Sequence, residues 1–260
     1  MRRVPDILSP RGRDALRALR QQRVLIAFDF DGTIAPLARH PASVRVSSGV
    51  RRQLQTLAAA VPVAIVSGRS LADLRRYFPR FPGLLVGNHG AEGLSGHRPL
   101  AAARRACRLW RRHLLRLLHV RRASAGVWLE DKSFSLTVHS RSPAVLRTLR
   151  RQLAHAAPPD LPPMHFLSGK ASINILFPAV PDKGEAVLLL LRRTRAEGGL
   201  FVGDDETDEA VFSLKKKTLI TVRVGHARQT QAAFFLHSQK EIGCLLATLI
   251  DLRRLPSKRS

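Results

Sequence analysis

The sequence is poor in cysteine, in aromatic residues and in acids. Its 260 residues include two cysteines, far apart and without the spacing of a metal site, which is compatible with a reducing cytosol and offers no disulfide framework. Aromatic residues make up 5% of the chain, which argues against a surface for stacking nucleic-acid bases. No apolar run approaches the roughly 20 residues that span a bilayer, and no signal-peptide pattern follows the first residues. These absences predict a cytoplasmic protein without a membrane segment.

The shortage of acids leaves a formal net charge of +25, from 44 lysine and arginine residues against 19 acids. Such a charge attracts anions, including phosphate esters, nucleic acid and anionic membranes. A compositional account, in which arginine replaces lysine throughout the chain, is the alternative that we favour. No RNP motif, basic zipper or zinc finger accompanies the charge, and we therefore expect no specific nucleic-acid partner.

The most informative motif is the segment 29–33 (DFDGT), which directly follows the apolar run 24–28. An apolar run that ends in two carboxylates predicts a buried strand that stops at a charged site. Asp29 and Asp31 point to the same side of such a strand, and they repel each other unless a cation or a proton intervenes. Gly32 allows a sharp turn, and Thr33 offers a hydroxyl and an N–H to an anion. The motif favours metal-assisted phosphoryl chemistry over a plain strand with an Asp-rich turn.

Apolar strand candidates alternate with helical patterns at both ends of the chain. This alternation predicts right-handed crossovers and a parallel sheet, with functional loops at the carboxyl ends of its strands. Between these regions the order helix–strand–strand–helix–strand–strand predicts an inserted α+β unit. We therefore expect an α/β fold with a core formed by residues 1–97 and 181–260 and an inserted domain over 98–180. The strand candidates of the core are 24–28, 61–66, 84–86, 199–202 and 219–224.

Four separate segments carry residue types that suit phosphate chemistry, each beside a strand or at the start of a helix. They are the motif at 29–33, Ser67 after the second strand, Lys183 at a helix start, and an acidic segment at 204–208. Taken alone, Ser67 could be an ordinary capping serine and Lys183 a solvated lysine. Their order and placement together indicate one site.

This order resembles the haloacid dehalogenase (HAD) superfamily, whose four motifs these segments match. The resemblance implies a HAD-like Rossmannoid core with a C2B-type cap of αββαββ order. It implies that Asp29 is a nucleophile forming an aspartyl-phosphate, and that Asp31 is first the general acid and then the base. Thr33 and Ser67 would hydrogen-bond the phosphoryl oxygens, and Lys183 would offset their negative charge.

The same resemblance implies a Mg²⁺ cofactor. Mg²⁺ prefers carboxylates and waters in octahedral geometry, and the segment 204–208 places four acids in five positions. Without a cation such a cluster repels itself, although a helix N-terminus offsets part of the repulsion, and an acidic helix start is the alternative. The predicted metal-binding residues are Asp29, Asp31 through its backbone carbonyl, Asp204, Asp205 and Asp208.

Longer segments resemble the trehalose-6-phosphate phosphatases within that superfamily: 67–69 (SGR), 87–92 (GNHGAE), 203–212, and 130–132 followed by 137–141. Membership implies hydrolysis of trehalose 6-phosphate in trehalose biosynthesis, with the insert closing as a lid on the sugar. We also expect a monomer, with a trehalose-phosphate synthase as a pathway partner. Lys132 as a hairpin residue and His139 as a strand residue remain alternatives. The implied substrate-binding residues are Gly68, Arg69, Asn88, His89, Glu92, Glu130, Lys132, His139, Arg141, Gly169, Lys170 and Asn174.

The strand at 171–177 departs from the family pattern. Asn174 stands where a sugar-binding glutamate is expected, and Leu176 where a basic residue is common. Because a lost hydrogen-bond partner changes discrimination strongly, the sugar could differ while the phosphatase chemistry is unchanged. The alternatives are a phosphatase for another glycosyl phosphate, such as glucosylglycerol or mannosylglycerate phosphate, and an anion-binding or nucleic-acid-binding protein on an inherited phosphatase fold.

Overall fold

The computed structural model describes residues 4–21, 23–38, 43–94, 100–119, 126–155, 158, 160–169, 171–178, 180–227 and 229–254. The chain divides into two compact units. The first, called the core unit, comprises Met1–Leu94 and Asp182–Ser260, and the second, called the insert, comprises Ser95–Pro181. The sequence places the corresponding boundaries after residues 97 and 180.

The described residues form the following regular elements. The strands are β1 (Val24–Phe28), β2 (Val63–Val66), β3 (Leu84–Val86), β4 (Val127–Asp131), β5 (Ser135–Ser140), β6 (His165–Gly169), β7 (Ser172–Leu176), β8 (Gly198–Gly203), β9 (Leu219–Val224) and β10 (Phe234–Leu236). The helices are α1 (Pro10–Ala18), α2 (Ser48–Ala60), α3 (Leu71–Tyr77), α4 (Leu100–His119), α5 (Pro143–His155), α6 (Lys183–Arg193), α7 (Glu209–Phe212) and α8 (Ile242–Arg254).

The core unit is built on a six-stranded parallel sheet in the order β10-β9-β8-β1-β2-β3. All five residues of β1 are buried, and alternate residues face opposite sides. Ile26 and Phe28 pack with α1, α2 and α8, whereas Leu25 and Ala27 pack with α6 and α7. Helices therefore cover both faces, which is why the strands of this sheet are continuous apolar runs. The predicted parallel-sheet core is confirmed.

The insert is built on an antiparallel sheet in the order β4-β5-β7-β6. α4 and α5 cover one face of this sheet, where Trp110 and Leu149 pack against Val138 and Ile173. Because side chains alternate along a strand, the other face carries the polar residues of β4, β5 and β7. The predicted αββαββ order is confirmed.

Two details of the core differ from the expectation. β2 begins at Val63 rather than at residue 61, and β10 at the edge of the sheet has no counterpart among the predicted strands. β10 has three residues, too few for a periodic pattern to stand out. Among the described residues, no helix combines the length and apolar character needed to cross a membrane.

Candidate active site

The carboxyl ends of three neighbouring strands bring the first site residues together. β1 lies between β2 and β8, with Phe28 paired to Ile65 on one side and to Val202 on the other. The residues that directly follow these strands are Asp29, Ser67 and Asp204. The N–H of Asp29 donates to the carbonyl of Val202 at 2.8 Å, which fixes the backbone at the predicted nucleophile. Asp29, Ser67 and Asp204 are all buried.

Lys183 ties the end of β1 to the loop after β8. A capping box between Asp182 and Glu185 starts α6, so that Lys183 is its first residue. Its Nζ donates to Oδ1 of Asp29 at 2.8 Å and to Oδ1 of Asp208 at 2.7 Å, and the side chain is 3% exposed. Burial opposes the ammonium charge, but the two carboxylates outweigh it and hold the pKa of Lys183 well above its ordinary value. Lys183 is therefore a fixed cation.

Three buried carboxylates meet beside this lysine. Oxygens of Asp29, Asp204 and Asp208 all lie within 4.8 Å of one another. Burial is the largest cause that raises the pKa of Asp29 well above its ordinary value; Lys183 opposes this rise, whereas Asp208 and Asp204 add to it. The cluster thus holds three acids, and the ammonium of Lys183 offsets a single charge. This excess of buried negative charge and the all-oxygen donor set fit a hard divalent cation such as Mg²⁺.

The loop after β8 is organised by its own acids. Oδ2 of Asp208 accepts the backbone N–H groups of Asp204 and Asp205, both at 2.9 Å. Oδ1 of Asp205 accepts the N–H of Glu206 at 2.7 Å, at the start of a short 3-10 helix. Of the predicted metal-binding carboxylates, those of Asp29, Asp204 and Asp208 lie in the cluster. Those of Asp205 and Asp31 are engaged elsewhere, and the predicted role of the Asp31 carbonyl stays a prediction.

The turn after β1 passes close to the carboxylate of Asp204. Gly32 has φ +82°, and a Cβ at this position would overlap that carboxylate. The hydroxyl of Thr33 donates to Oδ1 of Asp204 at 3.4 Å. Glycine at position 32 is therefore required both by the backbone conformation and by the close approach of the acid.

Arg69 holds the carboxylate of Asp31. Its Nε and one terminal nitrogen donate to the two carboxylate oxygens at 2.7 and 2.8 Å, and the other terminal nitrogen donates to Asp73 at 2.6 Å. The guanidinium also lies 5.1 Å from the ring centres of Phe30 and Tyr77. Burial lowers the pKa of Arg69, but the bonds to Asp31 and Asp73 dominate and raise it overall. Arg69 therefore touches the predicted general acid, and its role as a substrate contact stays a prediction.

The segment after β3 is hydrogen-bonded to the loop after β2. Asn88 and His89 have φ values of 50° and 60°, and their N–H groups donate to the carbonyls of Arg69 and Ser67. Oε2 of Glu92 accepts from the side chain of Asn88 at 2.6 Å and from an N–H of α3 at 2.9 Å. The geometry gives Asn88 and Glu92 clear structural partners.

Gly68 provides the space for the imidazole of His89. A Cβ at position 68 would lie 2.6 Å from this ring. The structure therefore places His89 directly beside the loop that carries Ser67, within the core unit.

The insert groups several predicted substrate residues on the face of its sheet opposite α4 and α5. Nε2 of His139 lies 2.8 Å from Oε2 of Glu130, and Lys132 lies 3.6 Å from the same oxygen. The His139 ring stacks on Trp128, with ring centres 4.8 Å apart and planes 12° apart. Trp128 is absent from the sequence-based set, although its place two residues before Glu130 on β4 could have indicated it.

Asn174 is buried on the same sheet. It pairs with Thr137 across β5 and β7, and the Thr137 hydroxyl donates to its amide oxygen at 3.0 Å. Thr137 is a second residue that the sequence-based set lacks. Gly169 ends β6, Arg141 is exposed just after β5, and Lys170 lies outside the described residues.

A family model described as trehalose-phosphatase matches residues 27–240. This chain belongs to that family. The resemblance to the trehalose-6-phosphate phosphatases of the HAD superfamily is thereby confirmed. The matched range includes the acid motif at Asp29, the whole insert and the acidic loop after β8.

Similar proteins include curated relatives and solved structures. An uncharacterized glycosyl hydrolase of Mycobacterium tuberculosis is 31% identical over 86% of this chain, and the trehalose-phosphate phosphatase of that organism is 29% identical over 93%. The alignments cover 18% and 64% of those proteins, so this chain spans only part of their length. The C-terminal domain of the Candida albicans trehalose-6-phosphate phosphatase superimposes with a TM-score of 0.71 at 21% identity, covering 98% of this chain and 99% of that domain. This likeness supports the fold.

Proposed function

We propose that this chain hydrolyses trehalose 6-phosphate to trehalose and phosphate, with Asp29 as the nucleophile and Mg²⁺ as the cofactor. The observation that carries the proposal is the buried carboxylate of Asp29 at the end of the central strand, held by Lys183 and facing Asp204 and Asp208. Family membership supports the substrate, because the similar proteins include trehalose-phosphate phosphatases.

Asp29 is suited to the first step by its fixed position. Its backbone is bound to β8, and its Oδ1 is bound to Lys183. In the proposed step a carboxylate oxygen of Asp29 attacks phosphorus, and the bond from phosphorus to the sugar oxygen breaks. Lys183 stabilises the added negative charge, because its raised pKa keeps it protonated. Mg²⁺ held by Asp29 and Asp204 would neutralise further charge on the phosphoryl group.

Asp31 is proposed to give a proton to the departing sugar oxygen, and then to take one from the water that attacks the aspartyl-phosphate. That second attack releases phosphate and restores the carboxylate of Asp29. In this structure both oxygens of Asp31 accept from Arg69. Asp31 must therefore exchange at least one of these bonds for a proton before it can act as an acid. The proposed cycle includes this exchange.

A second sugar phosphate is a candidate substrate because of Asn174. The amide is bound to Thr137, where the family pattern has a glutamate, so this position offers no carboxylate to a sugar hydroxyl. Glucosylglycerol or mannosylglycerate phosphate would keep the chemistry of the core and change the contacts of the insert. A cytoplasmic location, a monomeric state and a synthase partner stay predictions.

The test is phosphate release by the purified protein from trehalose 6-phosphate and a panel of other sugar phosphates, with Mg²⁺ or with a chelator. We expect selective release that needs Mg²⁺ and is abolished by Asp29→Asn. Asp251→Asn, an exposed change of the same kind on α8, serves as the matched control. Full activity of a pure Asp29→Asn protein would refute the mechanism, and release from another ester alone would refute the substrate.

A further inference from the structure

The insert carries an unusual balance of charge. Residues 95–181 contain 15 of the 44 lysine and arginine residues but three of the 19 acids. The density of basic residues is similar to that of the rest of the chain, whereas acids are about a third as frequent. Exchange of lysine for arginine accounts for the arginines but leaves the missing acids unexplained. The general arginine-rich composition of the chain therefore does not account for the charge of the insert.

The shortage is complete on the two helices of the insert. α4 contains six arginines and α5 contains three, and neither helix contains an acid. Both helices pack their apolar sides on the same face of the insert's sheet, so their exposed sides form its outer surface. All nine arginines are exposed: Arg104, Arg105, Arg108, Arg111, Arg112, Arg116, Arg147, Arg150 and Arg151.

Four arginines of α4 form one stripe along the helix. Their spacing is i, i+3, i+7 and i+11, which places them on one side of an α-helix. Like charges four residues apart destabilise a helix, and this stripe contains two such pairs without an acid to offset them. None of the four has an ion pair with any residue that the structure describes. The members of this stripe, called the arginine stripe, are Arg105, Arg108, Arg112 and Arg116.

The two remaining arginines of α4 make contacts within the insert. Arg111 lies 3.3 Å from a carboxylate oxygen of Asp131, and the guanidinium of Arg104 lies 5.1 Å from the ring centre of Phe134. These two contact the end of β4 and the turn that follows it, while the four arginines of the stripe have no such contact among the described residues. The stripe thus consists of the arginines that the insert does not use for its own packing.

We propose that the arginine stripe binds the phosphate backbone of a nucleic acid without reading its sequence. The planar guanidinium binds phosphate through two hydrogen bonds, and the cost of the like-charge pairs falls when anions lie between them. The stripe is about 16 Å long, which corresponds to about five base-pair steps along the axis of a duplex. Trp110 is the one Phe, Tyr or Trp residue in the sequences of α4 and α5, and it is buried, so none of these rings is offered to a base.

A nucleic acid fits this surface better than a membrane does. A helix that lies on a bilayer buries its apolar side among the lipid chains. The apolar sides of α4 and α5 are already packed on the sheet of the insert. Leu117 is 39% exposed and is the one large apolar residue that is exposed in the described part of the insert. The surface is therefore electrostatic, and its binding should fall steeply with salt.

The test is the fluorescence anisotropy of a labelled 20-base-pair duplex titrated with the whole protein between 50 and 200 mM salt. The stripe variant changes all four arginines to glutamine (R105Q, R108Q, R112Q and R116Q). Its matched control makes the same change at four exposed arginines of the core unit (R11Q, R52Q, R75Q and R192Q). The two variants have the same net charge, and circular dichroism verifies that each is folded.

We expect the stripe variant to bind the duplex more than tenfold more weakly at 100 mM salt, with the control within about twofold of the original protein. The slope of log affinity against log salt should become shallower by about three to four units in the stripe variant. Phosphate release should be unchanged in both. Equal weakening of both variants, no duplex binding at 50 mM salt, or binding only to anionic vesicles or to inorganic polyphosphate would each overturn the proposal.

Discussion

Replacement of Lys183 by methionine tests the charge balance of the buried acid cluster. Methionine has a similar length but no charge, so the carboxylates of Asp29 and Asp208 lose the hydrogen bonds of 2.8 and 2.7 Å. At a separation of up to 4.8 Å and an effective dielectric constant of about 20, two carboxylates repel each other by about 3 kcal/mol. Removal of one partner of a buried ion pair typically costs about 3–5 kcal/mol. We expect a loss of that size at pH 8, a large share of the stability of an ordinary domain.

The loss should depend on pH in a defined direction. When the pKa of an acid is higher in the folded protein than in the unfolded chain, there is a pH range between the two values. In this range the acid is protonated in the folded state and ionised in the unfolded state. Stability therefore falls as the pH rises from about 4, the ordinary value, through the raised pKa of Asp29. Without Lys183 the pKa of Asp29 rises further, so the variant should differ least from the original protein in mild acid and most at pH 8.

Urea unfolding followed by circular dichroism measures the effect, with Lys217→Met as an exposed control for the loss of one charge. The double variant Lys183→Met and Asp208→Asn should lose less stability than the sum of the single variants, because it removes one of the repelling acids. Mg²⁺ should raise the melting temperature of Lys183→Met more than that of the original protein. Strict additivity, or an unfolding free energy equal to that of the Lys217→Met control, would refute this account of the cluster.

Three further changes test other parts of the structure. Gly32→Ala should lower the free energy of unfolding by about 1–3 kcal/mol and reduce phosphate release, because Gly32 has a φ of +82° and lies against the carboxylate of Asp204. The control is Gly49→Ala on α2, where a Cβ would meet no neighbour, so thermal unfolding should show a neutral or stabilising effect. Cys244 is exposed, whereas Cys107 is buried, and burial together with the nearby Asp131 raises the pKa of the Cys107 thiol to about 12. A thiol reagent at pH 8 should therefore label Cys244 first and Cys107 only on unfolding, which mass spectrometry measures. Asn174→Glu should shift the ranking of sugar phosphates toward trehalose 6-phosphate if the natural substrate differs, and an unchanged ranking would show that this position does not set specificity.

The fold could be predicted from the sequence to a large extent, because its strands carry strong patterns. β1 and β8 are buried on both faces and appear as unbroken apolar runs, each ending in acids. The helical faces of α4 and α5 are equally clear. β10 could not be predicted, because its three residues form a strand only through pairing with β9. Tertiary pairing of this kind leaves no local periodicity.

The candidate site could be predicted in its members but not in their partners. The sequence places Asp31 among the metal-binding residues and Arg69 among the substrate contacts, and the structure joins the two side chains in a bidentate pair. The loop bonds of Asp208 and the packing of His89 on Gly68 are likewise products of tertiary approach. Residue types at the ends of strands indicate the chemistry, whereas distances between separate segments decide which atoms meet.

The charge of the cluster bears on the choice between an enzyme and an anion-binding protein. A site that only retains phosphate would place N–H groups and cations at the strand ends, since carboxylates repel the ligand. Here the end of the central strand carries a buried acid, with two more acids beside it and the ammonium of Lys183 between them. Such an arrangement is unfavourable for the binding of phosphate alone and becomes useful when a divalent cation accompanies the ester and a carboxylate must reach phosphorus. The arginine stripe has the opposite character, because it is exposed and free of acids.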